Sequence, residues 1–380
     1  MIKNLYICLL AVVVSGCAHF LPGRTPSDSR IKKILEKRID VYKQSVGTVV
    51  GVIDGKGRRM IAYGKMDRDS GKPVDGNTIY EIGSMSKVFT ALILADMCVN
   101  GEINLDDPIA NYLPSEISMP RGNNQKITLD QLTTHTSGLP RMPDNISLKN
   151  GEYPGEDYSV EQMLAFIEGY FLPRAPGEKY EYSNLGVGLL GYLLSRKAGM
   201  TYEALLSSRI LRPLGLNDTC ITVPAVKQDR FATGHDINLH AVNNQKIQAL
   251  AGATGIRSTA NDILDFLAAN MEPDASPLSQ AVRVVQSVWI DWGALNVLQG
   301  RGWQKLRKHG TEILFHGGRT EGYYSFMGFD PVKKKAVVVL SNASKDISDI
   351  GIYILSPKTR LEKLEPPGKE KEIKTGVYTN

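Results

Sequence analysis

Ser84-Met85-Ser86-Lys87, running straight into Val88-Phe89-Thr90-Ala91-Leu92-Ile93-Leu94-Ala95-Asp96-Met97, is the stretch on which the reading of this chain turns. The apolar run predicts a long helix closed by Asn100-Gly101. On a helix, positions i and i+3 share a side, so Ser84 and Lys87 stand one turn apart. Ser84 then lies at the helix start, where free N–H groups and the helix dipole favour a developing anion. A hydroxyl with an amine one turn away is the outline of a nucleophile and its base. The tetrapeptide alone also fits a helix cap followed by a solvated lysine, so the rest of the chain must decide.

Outward from this stretch, two β-rich runs, Val46 to Ile53 and Arg58 to Gly64, flank Asp54-Gly55-Lys56-Gly57 and predict a hairpin. A helix through Ile31, Ile34, Leu35 and Ile39 precedes it, capped by Asp28 or Ser29. Beyond Leu105 the texture is helical with frequent loops. Short helices are predicted from Leu105-Asp106-Asp107-Pro108, from Thr128 to Ser137-Gly138, and over Val160 to Ile167. Longer ones follow over Asn184 to Ala198, Thr201 to Leu211 and Ser258 to Ala269. Strands return at Glu312 to Phe315, Tyr323 to Phe329 and Ala336 to Leu340, before a last helix over Asp346 to Leu355. Strands near both ends with helices between them predict one antiparallel sheet that the two ends complete, with a helical lobe inserted.

The amino terminus differs from the body. Lys3 leads into an apolar run, Leu5 to Val14, that is short for a bilayer span and typical of an export signal. Val14-Ser15-Gly16-Cys17 resembles the lipobox of bacterial lipoproteins, which implies a signal peptide over 1–16 and lipidation of Cys17. Residues 17–27 then read as a tether, 28–357 as the folded domain and 358–380 as a charged tail. The expected location is the outer face of a bacterial membrane, held by acyl chains. A net charge of +5 spread over 380 residues, without aromatic interleaving, argues against nucleic acid as a partner. No metal-ligand spacing occurs and no cofactor is expected. Cys98 and Cys220 are the remaining pair, and their apolar surroundings favour buried free thiols over a disulfide.

Two further pieces carry chemistry. Tyr182-Ser183-Asn184 precedes a helix, and a tyrosine beside an ammonium such as Lys87 is expected to titrate below its usual value of about 10. That pair would form a general base without histidine, and Asn184 offers donor and acceptor to a substrate amide. The other piece is His316-Gly317-Gly318-Arg319, at the end of a β run. Glycines in a strand suggest close approach of another backbone, as when a peptide-like substrate adds to a sheet edge. The N–H groups of Arg319 and Ser84 could together form an oxyanion hole.

In this order the pieces resemble the penicillin-recognising serine hydrolases: class C β-lactamases, D-alanyl-D-alanine carboxypeptidases and β-lactamase-like esterases. Tyr80-Glu81-Ile82-Gly83-Ser84, Leu105-Asp106-Asp107-Pro108, Thr134-His135-Thr136-Ser137-Gly138-Leu139, Pro213-Leu214-Gly215-Leu216 and Gly252-Ala253-Thr254-Gly255 also look like the family's segments, from about residue 30 to 355. The resemblance implies an α/β fold of the β-lactamase/transpeptidase type, antiparallel sheet flanked by helices, in a monomeric serine hydrolase. It implies Ser84 as acylated nucleophile, Lys87 and Tyr182 as proton-transfer pair, and Asn184, His316, Gly317, Gly318 and Arg319 as substrate-binding. His135 reads as structural. The implied substrates are a β-lactam first, then a D-Ala-D-Ala-type peptide or an ester, with a non-catalytic binding module as the contrasting possibility.

One departure stands out. Class C enzymes carry Lys-Thr-Gly where this chain has His316-Gly317-Gly318. Exchanging lysine and threonine for a mostly neutral histidine and a glycine removes charge-assisted hydrogen bonds to a substrate carboxylate, about ten- to a hundredfold in affinity unless Arg319 compensates. A literal Lys374-Thr375-Gly376 follows the last predicted helix and a charged linker, with no strand pair after it, and is read as coincidental.

Overall fold

Gly47–Asp54 (β1) and Gly57–Gly64 (β2) form the expected hairpin in a computed structural model of the chain. The structure describes residues 25–367 apart from 70, 121, 123–125, 150–152, 155–157, 246–247, 273–276 and 309. The signal segment 1–16, Cys17, most of the tether, and Lys374-Thr375-Gly376 lie outside the described residues. Six more strands come late: Ile290–Asp291 (β3), Val297–Gln299 (β4), Gln304–Lys308 (β5), Thr311–Arg319 (β6), Tyr324–Asp330 (β7) and Lys335–Ser341 (β8). Across the sheet they run β2-β1-β8-β7-β6-β5-β4-β3, every neighbour antiparallel. The two ends of the chain complete one sheet, and the stretch between β2 and β3 supplies the helical part.

Both faces of that sheet are covered. Helices Asp28–Glu36 (α1), Ser86–Val99 (α2), Asn184–Ala198 (α3), Ala260–Met271 (α4) and Ser348–Leu355 (α5) position the site. In β8, Val337 and Val339 join Ile31 and Leu35 of α1 and Ile350 and Ile354 of α5. Alternate residues Ala336, Val338 and Leu340 join the larger core with Leu264 and Leu267 of α4. A strand whose successive side chains point to opposite faces, both buried, needs an unbroken apolar run, which is what Ala336 to Leu340 provides.

Helix α2 lies inside the larger core. Residues 86–97 are all buried, Lys87 among them, and Phe89 stacks on Phe266 of α4 at 4.0 Å between ring centroids. Such a helix shows no apolar stripe because every side of it is packed. Each fully buried aliphatic or phenylalanine side chain on it contributes about 1.5–3 kcal/mol.

Several local expectations shift. The helix predicted from Leu105 is a turn, with Asp107 Oδ2 accepting from Asn104 N–H at 2.7 Å and a short 3-10 turn, Ile109–Asn111, only after Pro108. The Thr128 helix, closed by a capping box with Gln131, stops at Thr133, because His135 adopts φ 61°. In the Thr201 segment the helix Tyr202–Leu206 widens into a π turn over Ser207–Leu211. Before α4, Thr259 is the cap and Ser258 sits in a short strand, Arg257–Thr259. Cys98 and Cys220 are free.

Candidate active site

Ser84 stands in a tight turn, Gly83–Met85, immediately before α2 and not within the helix proper. Gly83 takes φ 50°, and a Cβ there would lie 2.9 Å from Arg319 N. A Cβ on Gly318 would lie 2.0 Å from Ile82 O. The turn and β6 therefore touch backbone to backbone, an approach that needs glycine at both positions. The close approach foreseen for the glycine pair is thus real at Gly318, but the approaching backbone is the chain's own Ile82. Gly317 differs: a Cβ there would meet nothing closer than Ser325 O at 3.7 Å and Ser348 Oγ at 3.8 Å.

The ladder leaves part of β6 open. Pairing with β5 ends at Phe315 opposite Gln304, whereas pairing with β7 continues to Arg319 opposite Tyr324. Thr320 N–H donates to Tyr323 O at 3.0 Å, which fixes the alternation. Backbone groups of Gly318 accordingly turn toward β7, and those of Gly317 and Arg319 toward the side that β5 has vacated. An open edge thus begins beside the Ser84 turn.

Lys87 is 1% exposed, and its Nζ donates to Ser84 Oγ at 2.9 Å, Asn184 Oδ1 at 2.7 Å and Ala253 O at 3.0 Å. Burial, with the Arg141 charge adding to it, holds its pKa well below the ordinary lysine value. The shift is toward the uncharged amine, the form that can take a proton. Tyr182 hydrogen-bonds to Ser84, and Lys87 Nζ lies 4.8 Å from its ring centroid. Contrary to the expectation of a lowered value, burial pushes the Tyr182 hydroxyl up to about 12, with the Ser84 bond and Arg141 only partly offsetting it. The reason is that burial penalises the phenolate by more than the Ser84 bond and the Arg141 charge return. Amine and phenol thus meet on one hydroxyl.

Two histidines frame that pair. His135 is buried; its carbonyl accepts from Glu181 N–H at 2.8 Å, its Nδ1 from Ser183 N–H at 3.1 Å, and its ring lies 4.4 Å from that of Tyr182. It grips the backbone on either side of Tyr182. His316 is 3% exposed, with Nδ1 donating to Gly317 O, and burial followed by the Lys87 charge pushes its pKa down to about 3. The imidazole is neutral at any ordinary pH. Asn184 begins α3, with Oδ1 held by Lys87 and Nδ2 lying 3.3 Å from Met142 Sδ.

The structure thus brings Ser84, Lys87, Tyr182 and Asn184 into direct contact, with the backbones of Gly318 and Arg319 against the Ser84 turn. The Arg319 side chain is the exception. Strand alternation puts it on the face of Gly317 and Phe315, toward Ser348, and its charge acts on Tyr324 there.

The family model for beta-lactamase matches residues 32–351 of this chain. The chain belongs to the beta-lactamase family. It is 30% identical over 350 residues to a beta-lactamase of Pseudomonas fluorescens, covering 82% of this chain and 93% of that protein. To a beta-lactamase of Escherichia coli (strain K12) it is 28% identical over 372 residues, covering 88% and 93%. A crystal structure of a beta-lactamase/D-alanine carboxypeptidase from Pseudomonas syringae superposes with a TM-score of 0.74 at 21% identity, covering 86% of this chain and 97% of that one. The fold is therefore the β-lactamase/transpeptidase type, and the chain is a family serine hydrolase.

Within this beta-lactamase-family site, sequence reasoning passed over three contributors. Ala253 supplies only a carbonyl, which no residue type advertises. Tyr180, whose ring meets that of His135 at 5.9 Å, stacks at 4.8 Å on Trp292 of the β3–β4 connection, a pairing that was not foreseen. Arg141 lies with its guanidinium carbon 5.1 Å from the Tyr182 ring centroid. The signal for Arg141 was its position directly after the Thr134 to Leu139 segment.

Proposed function

We propose that this protein hydrolyses β-lactams through an acyl-enzyme on Ser84. The observation that carries the reading is the buried Lys87 amine, bonded at once to Ser84 Oγ and Asn184 Oδ1. In the proposed sequence Ser84 Oγ attacks the lactam carbonyl as its proton passes to Lys87. The oxyanion forms between the N–H groups of Ser84 and Arg319. Collapse breaks the C–N bond, and the Tyr182 hydroxyl protonates the leaving nitrogen, recovering its proton from Lys87. Water then attacks the ester, delivers a proton to the same pair and releases the acid, restoring Ser84.

A second reading, D-Ala-D-Ala carboxypeptidase, draws on the open edge at Gly317 and Arg319, which suits an extended peptide, and an esterase would share the acylation step. The lipobox-like Val14-Ser15-Gly16-Cys17 supports an exported, lipid-anchored enzyme. The test is the lifetime of the covalent adduct with a penicillin, followed by intact mass, with Ser84→Ala as control. Loss of the adduct within seconds with sustained drug turnover is expected. An adduct persisting for many minutes makes β-lactams inhibitors and favours the peptidase.

A further inference from the structure

We infer that Arg141 is the anchor for an anionic group of the substrate, a carboxylate on the acyl donor, in place of any cation on β6. The inference rests on the hydrolase reading of the site. A carboxylate bound beside Ser84 needs a fixed positive charge or a set of convergent donors. Among the described residues, the other cations considered for this role are engaged elsewhere. Lys87 is buried and committed to Ser84, Asn184 and Ala253. His135 and His316 are buried, and each has a ring nitrogen held against backbone. Arg319 directs its side chain to the opposite face of β6, where Tyr324 feels it.

Arg141 remains, and it is held in place. Its carbonyl accepts from Asn184 N–H at 2.9 Å and Leu185 N–H at 3.4 Å, which ties the residue to the first turn of α3. Its side chain is solvent-exposed and lies against the Tyr182 ring, so the charge sits at the mouth over the reacting groups. Lys87, Tyr182 and His135 all register that charge. Among the described residues no carboxylate pairs with it. Among the described residues Arg141 is therefore a cation beside the Tyr182 ring whose fork no carboxylate occupies.

The test compares a β-lactam bearing a free carboxylate with its methyl ester, using the full chain and the Arg141→Ala, Arg141→Lys and Arg319→Ala variants. The readout is the ratio of kcat/KM for acid over ester. Arg141→Ala is expected to lower that ratio about ten- to a hundredfold, mainly through KM, with partial recovery in Arg141→Lys. Arg319→Ala is expected to leave the ratio within about threefold. An equal loss on both substrates, an unchanged ratio, or a collapse in Arg319→Ala overturns the assignment. The same pair of ligands is titrated by calorimetry into Ser84→Ala with and without Arg141→Ala. If the wild type turns over neither substrate yet this binding difference persists, the hydrolase reading fails while the anchor stands; if the difference is absent, the anchor fails.

Discussion

Replacing Gly318 by alanine adds one methyl group at the point where β6 meets the Ser84 turn. That Cβ would stand 2.0 Å from Ile82 O and 2.5 Å from Ser325 Oγ, so ordinary contact at 3.4 Å requires a displacement of roughly 1.4 Å. Ser325 Oγ can rotate away, but it gives up its 2.8 Å bond to Ile82 O. Ile82 cannot move alone: its carbonyl also accepts from Met85 N–H at 3.2 Å across the turn that carries Ser84. Overpacking of this kind costs about 1–3 kcal/mol, and a 1 Å misplacement of a reacting group about a hundredfold in rate. The matched control is Gly317→Ala, where the nearest atom is 3.7 Å away, and an effect within about 0.5 kcal/mol is expected. Urea melts give the stability change, and stopped-flow acylation by a chromogenic β-lactam gives the rate. A Gly318→Ala protein that melts and acylates like the wild type, or a Gly317→Ala protein that is the worse of the two, would refute the backbone-contact argument.

In the proposed mechanism Lys87 takes a proton only when neutral, so acylation should rise with pH through a Lys87 value well below that of a free lysine and decline only as Tyr182 ionises toward about 12. Lys87→Arg, which keeps a permanent charge in a buried site, should remove the acid limb and lower kcat/KM at least about a hundredfold; an unchanged pH profile would count against the amine as proton acceptor. His135→Ala strands the Ser183 N–H without its acceptor and should cost about 1–3 kcal/mol in a denaturant melt together with slower acylation. If His135→Phe, which fills the space, behaves like the wild type in both, the ring serves as packing alone.

What could be read from the sequence followed from periodicity and from short constellations. The β1–β2 hairpin, α3 and β6 to β8 announced themselves through glycine turns, caps and apolar runs, and Ser84, Lys87, Tyr182 and Asn184 through their order along the chain. Strands β3 to β5 did not, because Asp291, Gln304, Lys305 and Lys308 on a half-exposed sheet margin break the apolar alternation. The Tyr182 shift was misjudged for a physical reason: sequence shows that a lysine is near but not that the phenol itself is buried. Arg319 was counted as a cation for the cleft, although strand alternation from Gly318 sends its side chain to the other face. The contacts of Ala253 and Arg141 entered only with three dimensions: each lies in or just after a segment legible in the sequence, but neither a carbonyl nor an exposed loop arginine marks what it touches.

The contact between the Ser84 turn and β6 also orders events in time. Ser84 and Arg319 are 235 residues apart, an interval that takes roughly 10–50 s to synthesise. During that interval α2 and α3 can emerge and pair, yet the proposed oxyanion donor from Arg319 does not exist and the sheet lacks the strand that closes on β1. A fragment that ends between Asn184 and β6 therefore carries Ser84, Lys87, Tyr182 and Asn184 but lacks the Arg319 N–H proposed to hold the oxyanion. Activity in this architecture reports that synthesis has passed the strands that close the sheet.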